Sequence, residues 1–302
     1  DQLGDVRSAG MVVGFQRVYE VTGEDRYHKA AAFFWRTVAL TRSFATGGHG
    51  DNEHFFPMAE FEDHVFSAKG SETCCMHNML KLARALFVHD PQAAYVDYYE
   101  RTLYNGILAS QDPDSGMATY FQGNRPGYMK LYHTHQDSFW CCTGTGMENH
   151  VKYRDSIYFH DDAALYVNLF LPSSVRWKEK KAVLTQTTNF PESPSTTLEW
   201  QLPRPTKTAL KLRHPRWSRT ATLLVNGRAA ATSAAPGSYV TLDRTWRDGD
   251  TVELQLVMEP AAEQAPAAPQ IVAFTYGPLV LAGALGRQGL APGADIIVNE
   301  RK

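Results

Sequence analysis

Cysteine is scarce in this chain: four residues among 302, all in two adjacent pairs, Cys74–Cys75 and Cys141–Cys142. No C-x-x-C and no H-x3-H spacing accompanies them, which disfavours a zinc knuckle and a thioredoxin-like redox motif. No run of 18 or more apolar residues occurs, so nothing reads as a membrane-spanning helix, and the N-terminus lacks the basic-then-apolar pattern of a signal peptide. Localisation is left open by these features. A net charge of −2, with Lys and Arg spread along the chain, offers no basic stripe to a phosphate backbone, so nucleic acid is not expected as a partner. An uncharged ligand fits better. The aromatic content of 12% suits a sugar site, because sugar C–H faces stack on rings, and it suits a large core equally. There is no initiating Met: the chain opens DQLGDVRSAG and enters an apolar-periodic segment at once, which reads as a piece of a longer protein.

What is present falls into two grammars, giving an α+β multidomain chain. Over residues 1–152 the periodicity is helical. Apolar Val12, Val13, Val18 and Tyr19 mark a helix over 9–21, TGED breaks it, and a second helix runs from about Tyr27 to Arg42. A glycine-rich loop, TGGHGDNEHFF, occupies 46–56. A third helix begins near Thr73 with Met76, Met79, Leu80, Ala83, Leu86 and Phe87 on one face. Pro91 is expected to open a fourth, whose stripe of Tyr95, Tyr98, Tyr99 and Leu103 reads as core packing. Residues 153–302 change to short β-rich runs divided by Pro, Gly, Asn and Asp, which predicts an antiparallel β-sandwich. The Pro/Ala-rich stretch 261–270 reads as a surface connection before a strand over 272–281.

The cysteine pairs carry the chemistry. Adjacent cysteines rarely bond each other, which leaves two cross-bridges between the pairs, four inert buried thiols, or a soft metal. The metal reading is the strongest. Glu72 and Cys74 are one residue apart at a helix start, and Gly144 and Gly146 give the backbone room to turn sharply after Cys141 and Cys142. Glu72, Cys74, Cys141 and Cys142 would close four positions around one Zn²⁺, and metal-bound thiolates stay ionised, so one of them can act as a nucleophile. A proton donor is then needed. Among Asp51, Glu53, Glu60, Glu62 and Asp63, Glu53 stands out because it joins the glycine-rich loop to Phe55 and Phe56, which can desolvate it.

The blocks GGHGDNEHF, SETCCMHNMLKL, FWCCTGTGMEN and YFHDDAALYVNLFLPSSVRW resemble those of the β-L-arabinofuranosidases of glycoside hydrolase families 127 and 146, more nearly the latter. The resemblance implies the C-terminal part of an (α/α)6 barrel over 1–152, followed by the β-sandwich over 153–302. It also implies Zn²⁺ held by Glu72, Cys74, Cys141 and Cys142, with Cys141 as nucleophile, Glu53 as acid/base, and a substrate bearing terminal L-arabinofuranose. Retention through a covalent S-glycosyl intermediate follows the double-displacement scheme. The chain departs from the family in three ways. Cys75 stands where a non-thiol is expected, no histidine precedes His28, and about half of a twelve-helix barrel is missing. His135, Tyr120 and Trp140 are further candidates for holding sugar, with Tyr132, His133 and Gln136 beside them, while Glu148 and Asn149 are expected to brace the turn after the cysteines.

Overall fold

The computed structural model describes residues 8–127, 130–231 and 234–284. The opening residues 1–7, where the missing histidine was noted, and the C-terminal end of the expected second domain lie outside them. Helices α1 (Ser8–Thr22) and α2 (Asp25–Thr37) form a hairpin that turns at Gly23, and a π-helical turn, Val38–Arg42, extends α2. A short α3 (Phe61–Val65) follows the glycine-rich loop. Then come α4 (Thr73–His89), α5 (Ala93–Thr102) and α6 (Cys141–Lys152). The apolar face read on α4 is buried, as are Tyr95, Tyr98 and Tyr99 of α5, and together with Trp35 they fill one core. Pro91 does not open α5; Gln92 caps it and the helix begins at Ala93.

Two readings of the sequence are corrected. The segment after Trp140 is a twelve-residue helix, not a sharp turn, despite glycines at 144 and 146 that each cost about 1 kcal/mol relative to alanine. Packing on α4 outweighs that cost. The stretch 261–270 is not a surface connection but most of a hairpin, described below.

The strands among the described residues, in chain order, are β1 (Ser71–Glu72), β2 (Phe121–Gln122), β3 (Tyr158–His160), β4 (Ala164–Val167), β5 (Ser173–Trp177), β6 (Ala182–Thr188), β7 (Ser195–Gln201), β8 (Thr206–His214), β9 (Ala221–Val225), β10 (Arg228–Ala230), β11 (Ser238–Trp246), β12 (Thr251–Leu256), β13 (Pro260–Ala265), β14 (Ala268–Tyr276) and β15 (Leu279–Val280). One sheet has the order β10-β9-β12-β7-β6-β5 and another β11-β8-β4-β3. Their buried residues share one cluster, with Leu165, Leu210 and Leu212 from the smaller sheet meeting Leu184, Leu198, Trp200, Val252 and Leu254 from the larger. Not every pair is antiparallel: β4 and β8 run parallel, because β5, β6 and β7 in the other sheet separate them in the chain and no tight turn can join them. A third sheet, β13-β14-β15, contains the Pro/Ala-rich stretch. It is fastened to α5 by a two-toothed Arg101–Glu263 pair at 2.6 and 2.7 Å. Its prolines hid it from a propensity reading. No helix among the described residues is long and apolar enough to cross a membrane.

The helical part and the sheets meet at Arg213 of β8, which is fully buried. It donates to Asp97 at 2.6 Å and to Glu100, both on α5, and its Nε donates to the Asn168 carbonyl at 2.7 Å. Glu100 also accepts from Trp217 at 2.9 Å. A buried pair loses heavily when one partner is removed, because the other charge is left uncompensated. Arg213→Met is therefore expected to lower unfolding stability by about 3–5 kcal/mol in urea titration. A loss below about 1 kcal/mol would show that the cluster is not a structural anchor.

Candidate metal and catalytic site

Glu72 ends β1, whose antiparallel pairing with β2 sets Glu72 opposite Phe121. Thr73 then starts α4, its amide bonded to the Tyr120 carbonyl at 3.0 Å and its hydroxyl donating to the Thr119 carbonyl at 2.8 Å. Cys74 and Cys75 thus lie in the first turn of α4, and Cys141 and Cys142 in the first turn of α6. Two helix N-termini, each carrying a partial positive charge, converge on the sulfurs. The Cys74 amide lies 3.4 Å from the Cys142 sulfur. A clamp holds the helices together: buried His77 of α4 shares a hydrogen bond with Asn149 of α6 at 2.8 Å, and Glu148 lies 3.2 Å from His77 and 3.0 Å from Lys81. Glu148 and Asn149 do brace the cysteines, though from within a helix.

The ligand atoms of Glu72, Cys74, Cys141 and Cys142 all lie within 4.8 Å of one another. Cys141 Sγ is 3.4 Å from Cys74 Sγ and 3.9 Å from Cys142 Sγ, and Glu72 Oε1 is 3.1 Å from Cys74 Sγ and 3.4 Å from Cys141 Sγ. A tetrahedral ion with metal–sulfur bonds of about 2.3 Å would separate its ligands by roughly 3.5–3.8 Å. The donor set therefore fits a metal ion of soft or borderline character. The cysteines are free, and none of them pairs in a disulfide.

Within the cluster Cys141 differs from the rest. It is exposed, whereas Glu72, Cys74 and Cys142 are buried. Hydrogen bonds from Cys142 and Cys74, and a further one from Tyr120, hold its thiol far below the ordinary thiol range. Burial pushes Cys142 upward, the contact with Cys141 does the same to Cys74, and burial raises Glu72. The downward shift thus falls on the one sulfur of the group that solvent reaches. Cys75 stays outside the set of four: its Sγ lies 3.1 Å from the other Glu72 oxygen, Oε2. Contact with Cys74 lowers its pKa, but burial and the Glu72 charge outweigh that and bring it to about 11.

Tyr120 links the cluster to Glu53. Its hydroxyl donates to Glu53 Oε1 and lies 3.7 Å from Cys141 Sγ, so carboxylate and sulfur are one hydroxyl apart. Burial, and then the bond to Glu53, push the phenol upward. Glu53 sits in a two-residue turn whose flanking Asp51 and His54 exchange both backbone hydrogen bonds at 3.0 Å. Asn52 has φ +47° and Glu53 φ +70°. Such a turn favours glycine at its second position, so Glu53 is held in a costly conformation. The preceding glycines pack closely: a Cβ on Gly48 would lie 2.1 Å from the Ser71 hydroxyl, fixing the loop against β1. Asp51 pairs with His64 at 2.7 Å, while Glu60, Glu62 and Asp63 are exposed on or beside α3; Glu53 is the one of these acids joined to Tyr120, the hydroxyl beside Cys141.

Trp140, just before α6, is part-exposed with its ring edge toward Tyr120, centroids 5.7 Å apart, and toward His133 at 5.3 Å. His133 is buried and bonded to Thr143 at 3.0 Å. His135 is exposed and is not drawn into this group. Sequence reasoning missed His77, although it stands inside the quoted CCMHN block, and His49, which is fully buried and stacked on Phe55 at 5.6 Å with neither ring nitrogen partnered. A cleft of about 440 Å³ between Arg17, Arg84 and His89 lies at the other end of α4, away from the sulfurs.

Residues 5–155 match the family profile described as β-L-arabinofuranosidase, GH127 catalytic domain. The chain belongs to this family. Residues 164–258 match the GH127 middle domain. No curated protein matches the chain. Among solved structures it resembles a glycoside hydrolase (23% identity, TM-score 0.80) and the GH127 β-L-arabinofuranosidase Ara127N-Se of Geobacillus stearothermophilus T6 (22%, 0.76). It also resembles the GH127 β-arabinofuranosidase BT3674 (25%, 0.79). Each likeness covers 91% of this chain and 51%, 46% and 46% of the respective relative, so the chain spans about half their length. The cysteines, Glu72 and Glu53 all fall within the catalytic-domain match.

Two outcomes test this geometry. Because the Glu53 backbone is left-handed, Glu53→Gly should be about 1 kcal/mol more stable than Glu53→Ala, although neither keeps the carboxylate; equal stability, or a more stable alanine variant, would contradict the strained turn. Burial lowers the His49 pKa from 6.5 to about 4, so the unfolded chain takes up the proton first. Its contribution is complete above pH 6.5 and lost as pH falls toward 4. His49→Asn should flatten the pH dependence of the urea midpoint over that window, and an unchanged slope would contradict it.

Proposed function

We propose that the protein is a retaining glycoside hydrolase that releases terminal β-L-arabinofuranose from an oligo- or polysaccharide. Cys141 is the nucleophile, Glu53 the acid/base, and Glu72, Cys74, Cys141 and Cys142 the ligands of a zinc ion. The observation that carries this reading is that the exposed sulfur of a cluster of four possible ligands stands one hydroxyl away from the Glu53 carboxyl group. Zinc bound there supplies positive charge that keeps its thiolates ionised at neutral pH.

Cys141 Sγ attacks the anomeric carbon while the bond to the leaving oxygen breaks and Glu53 gives that oxygen its proton. The sugar is then held by a carbon–sulfur bond. Glu53, now a carboxylate, takes a proton from water; the water oxygen bonds to the anomeric carbon, and the Cys141 thiolate leaves. Tyr120, hydrogen-bonded to Glu53 and close to Cys141, keeps the two groups facing the same point. Trp140, part-exposed beside them, offers a ring to the sugar, and His135 a hydrogen-bonding group at the rim.

We read residues 1–152 as part of an (α/α)6 barrel, residues 153–302 as a β-sandwich domain, and the motif blocks as nearer family 146. The exposed apolar faces of α1 (Met11, Phe15, Val18) and of α2 with its π-helical extension (Phe33, Leu40) support the barrel, since further helices would pack there.

An L-arabinofuranose analogue with an electrophilic anomeric centre should label the zinc-loaded protein once, at Cys141, as read by peptide mass spectrometry. Glu53→Gln should slow the labelling most for analogues with poor leaving groups. A protein that binds zinc but carries no adduct on Cys141 would point instead to a structural metal site in a carbohydrate-binding or scaffolding protein.

A further inference from the structure

One thiol beside the cluster, Cys75, lies outside the four proposed ligands. Cys75 is 1% exposed, and its sulfur lies against the one oxygen of Glu72 that does not face the other sulfurs. Its place in the helix explains the contact. Glu72 is the N-cap of α4 and Cys75 is the third residue of its first turn, the position whose side chain reaches back toward the cap. The Glu72 carboxylate makes no capping bond to the α4 amides. It points across to the sulfurs, with Oε1 at 3.1 Å from Cys74 and 3.4 Å from Cys141. A carboxylate with one oxygen unheld can rotate and offer either or both oxygens to an ion. Ligating side chains are commonly fixed by a hydrogen bond from outside the ligand set, and loss of that bond typically costs 10–100-fold in metal affinity.

We infer that Cys75 is a positioning residue: its S–H donates to Glu72 Oε2 and so restricts Glu72 to one ligating oxygen, Oε1, without Cys75 itself joining the metal. The inference rests on the metal site proposed above. It gives a role to the thiol that stands where a non-thiol was expected.

Zinc affinity measured by competition with a chromophoric chelator, in the full chain, tests it. Cys75→Ala should bind zinc about 10–100-fold more weakly, and Cys75→Ser, which keeps a donor of similar size, should recover most of that loss. Infrared spectra of the zinc-loaded wild type should retain one S–H stretch, shifted by its hydrogen bond and absent from Cys75→Ala. Unchanged affinity in Cys75→Ala, or equal losses in the alanine and serine variants, would overturn the positioning role while leaving the metal site intact. So would a zinc-loaded protein with no S–H band, since Cys75 would then be an ionised ligand. A wild type that takes up no zinc would overturn the metal reading itself, and this inference with it.

Discussion

The meeting of two helix N-termini governs what this site can do. Cys74 and Cys141 are distant in sequence, yet their sulfurs come within 3.4 Å because α4 and α6 start at the same point. Gathering three sulfurs and the Glu72 carboxyl group at one point costs desolvation, and the partial positive charge at two helix N-termini offsets part of that cost. The His77–Asn149 bond holds the two helices at that distance, and β1–β2 pairing fixes Glu72 between them. The rest of the helical core, from Trp35 to Tyr99, supports this arrangement.

Strain is stored in the neighbouring turn. Asn52 and Glu53 both adopt left-handed backbone, held by the paired Asp51 and His54 amides, the Asn52 bond to the Lys69 carbonyl at 2.7 Å, and the tightly packed glycines before them. A glutamate where a glycine would be easier is a local conflict of the kind that clusters at functional sites. What the position gains is a carboxylate delivered to Tyr120 and, through it, to Cys141.

Residue chemistry was more legible than backbone shape. The grouping of Glu72 with Cys74, Cys141 and Cys142 was legible because thiols are few and paired, and Glu53 drew attention because glycines precede it and aromatics follow. Helices with a clear apolar stripe, α4 above all, were equally plain. Helix α6 was not, since Gly144 and Gly146 argue against a helix locally and only its packing against α4, whose Cys74 is 67 residues from Cys141, outweighs them. The β13–β14 hairpin hid behind prolines and alanines, and the parallel β4–β8 pairing is non-local, so no short-range pattern announces it. Tyr120 was legible only as an aromatic residue near the second cysteine pair. Its place between Glu53 and Cys141 depends on the register of β1 and β2, which a single sequence does not display.

Zinc-edge X-ray absorption on the metal-loaded chain tests the centre of this account most directly. Three sulfurs at about 2.3 Å and one oxygen at about 2.0–2.2 Å are expected, with one sulfur lost in Cys141→Ser. A shell of four sulfurs, a nitrogen-rich shell, or a sulfur count unchanged by Cys141→Ser would contradict it.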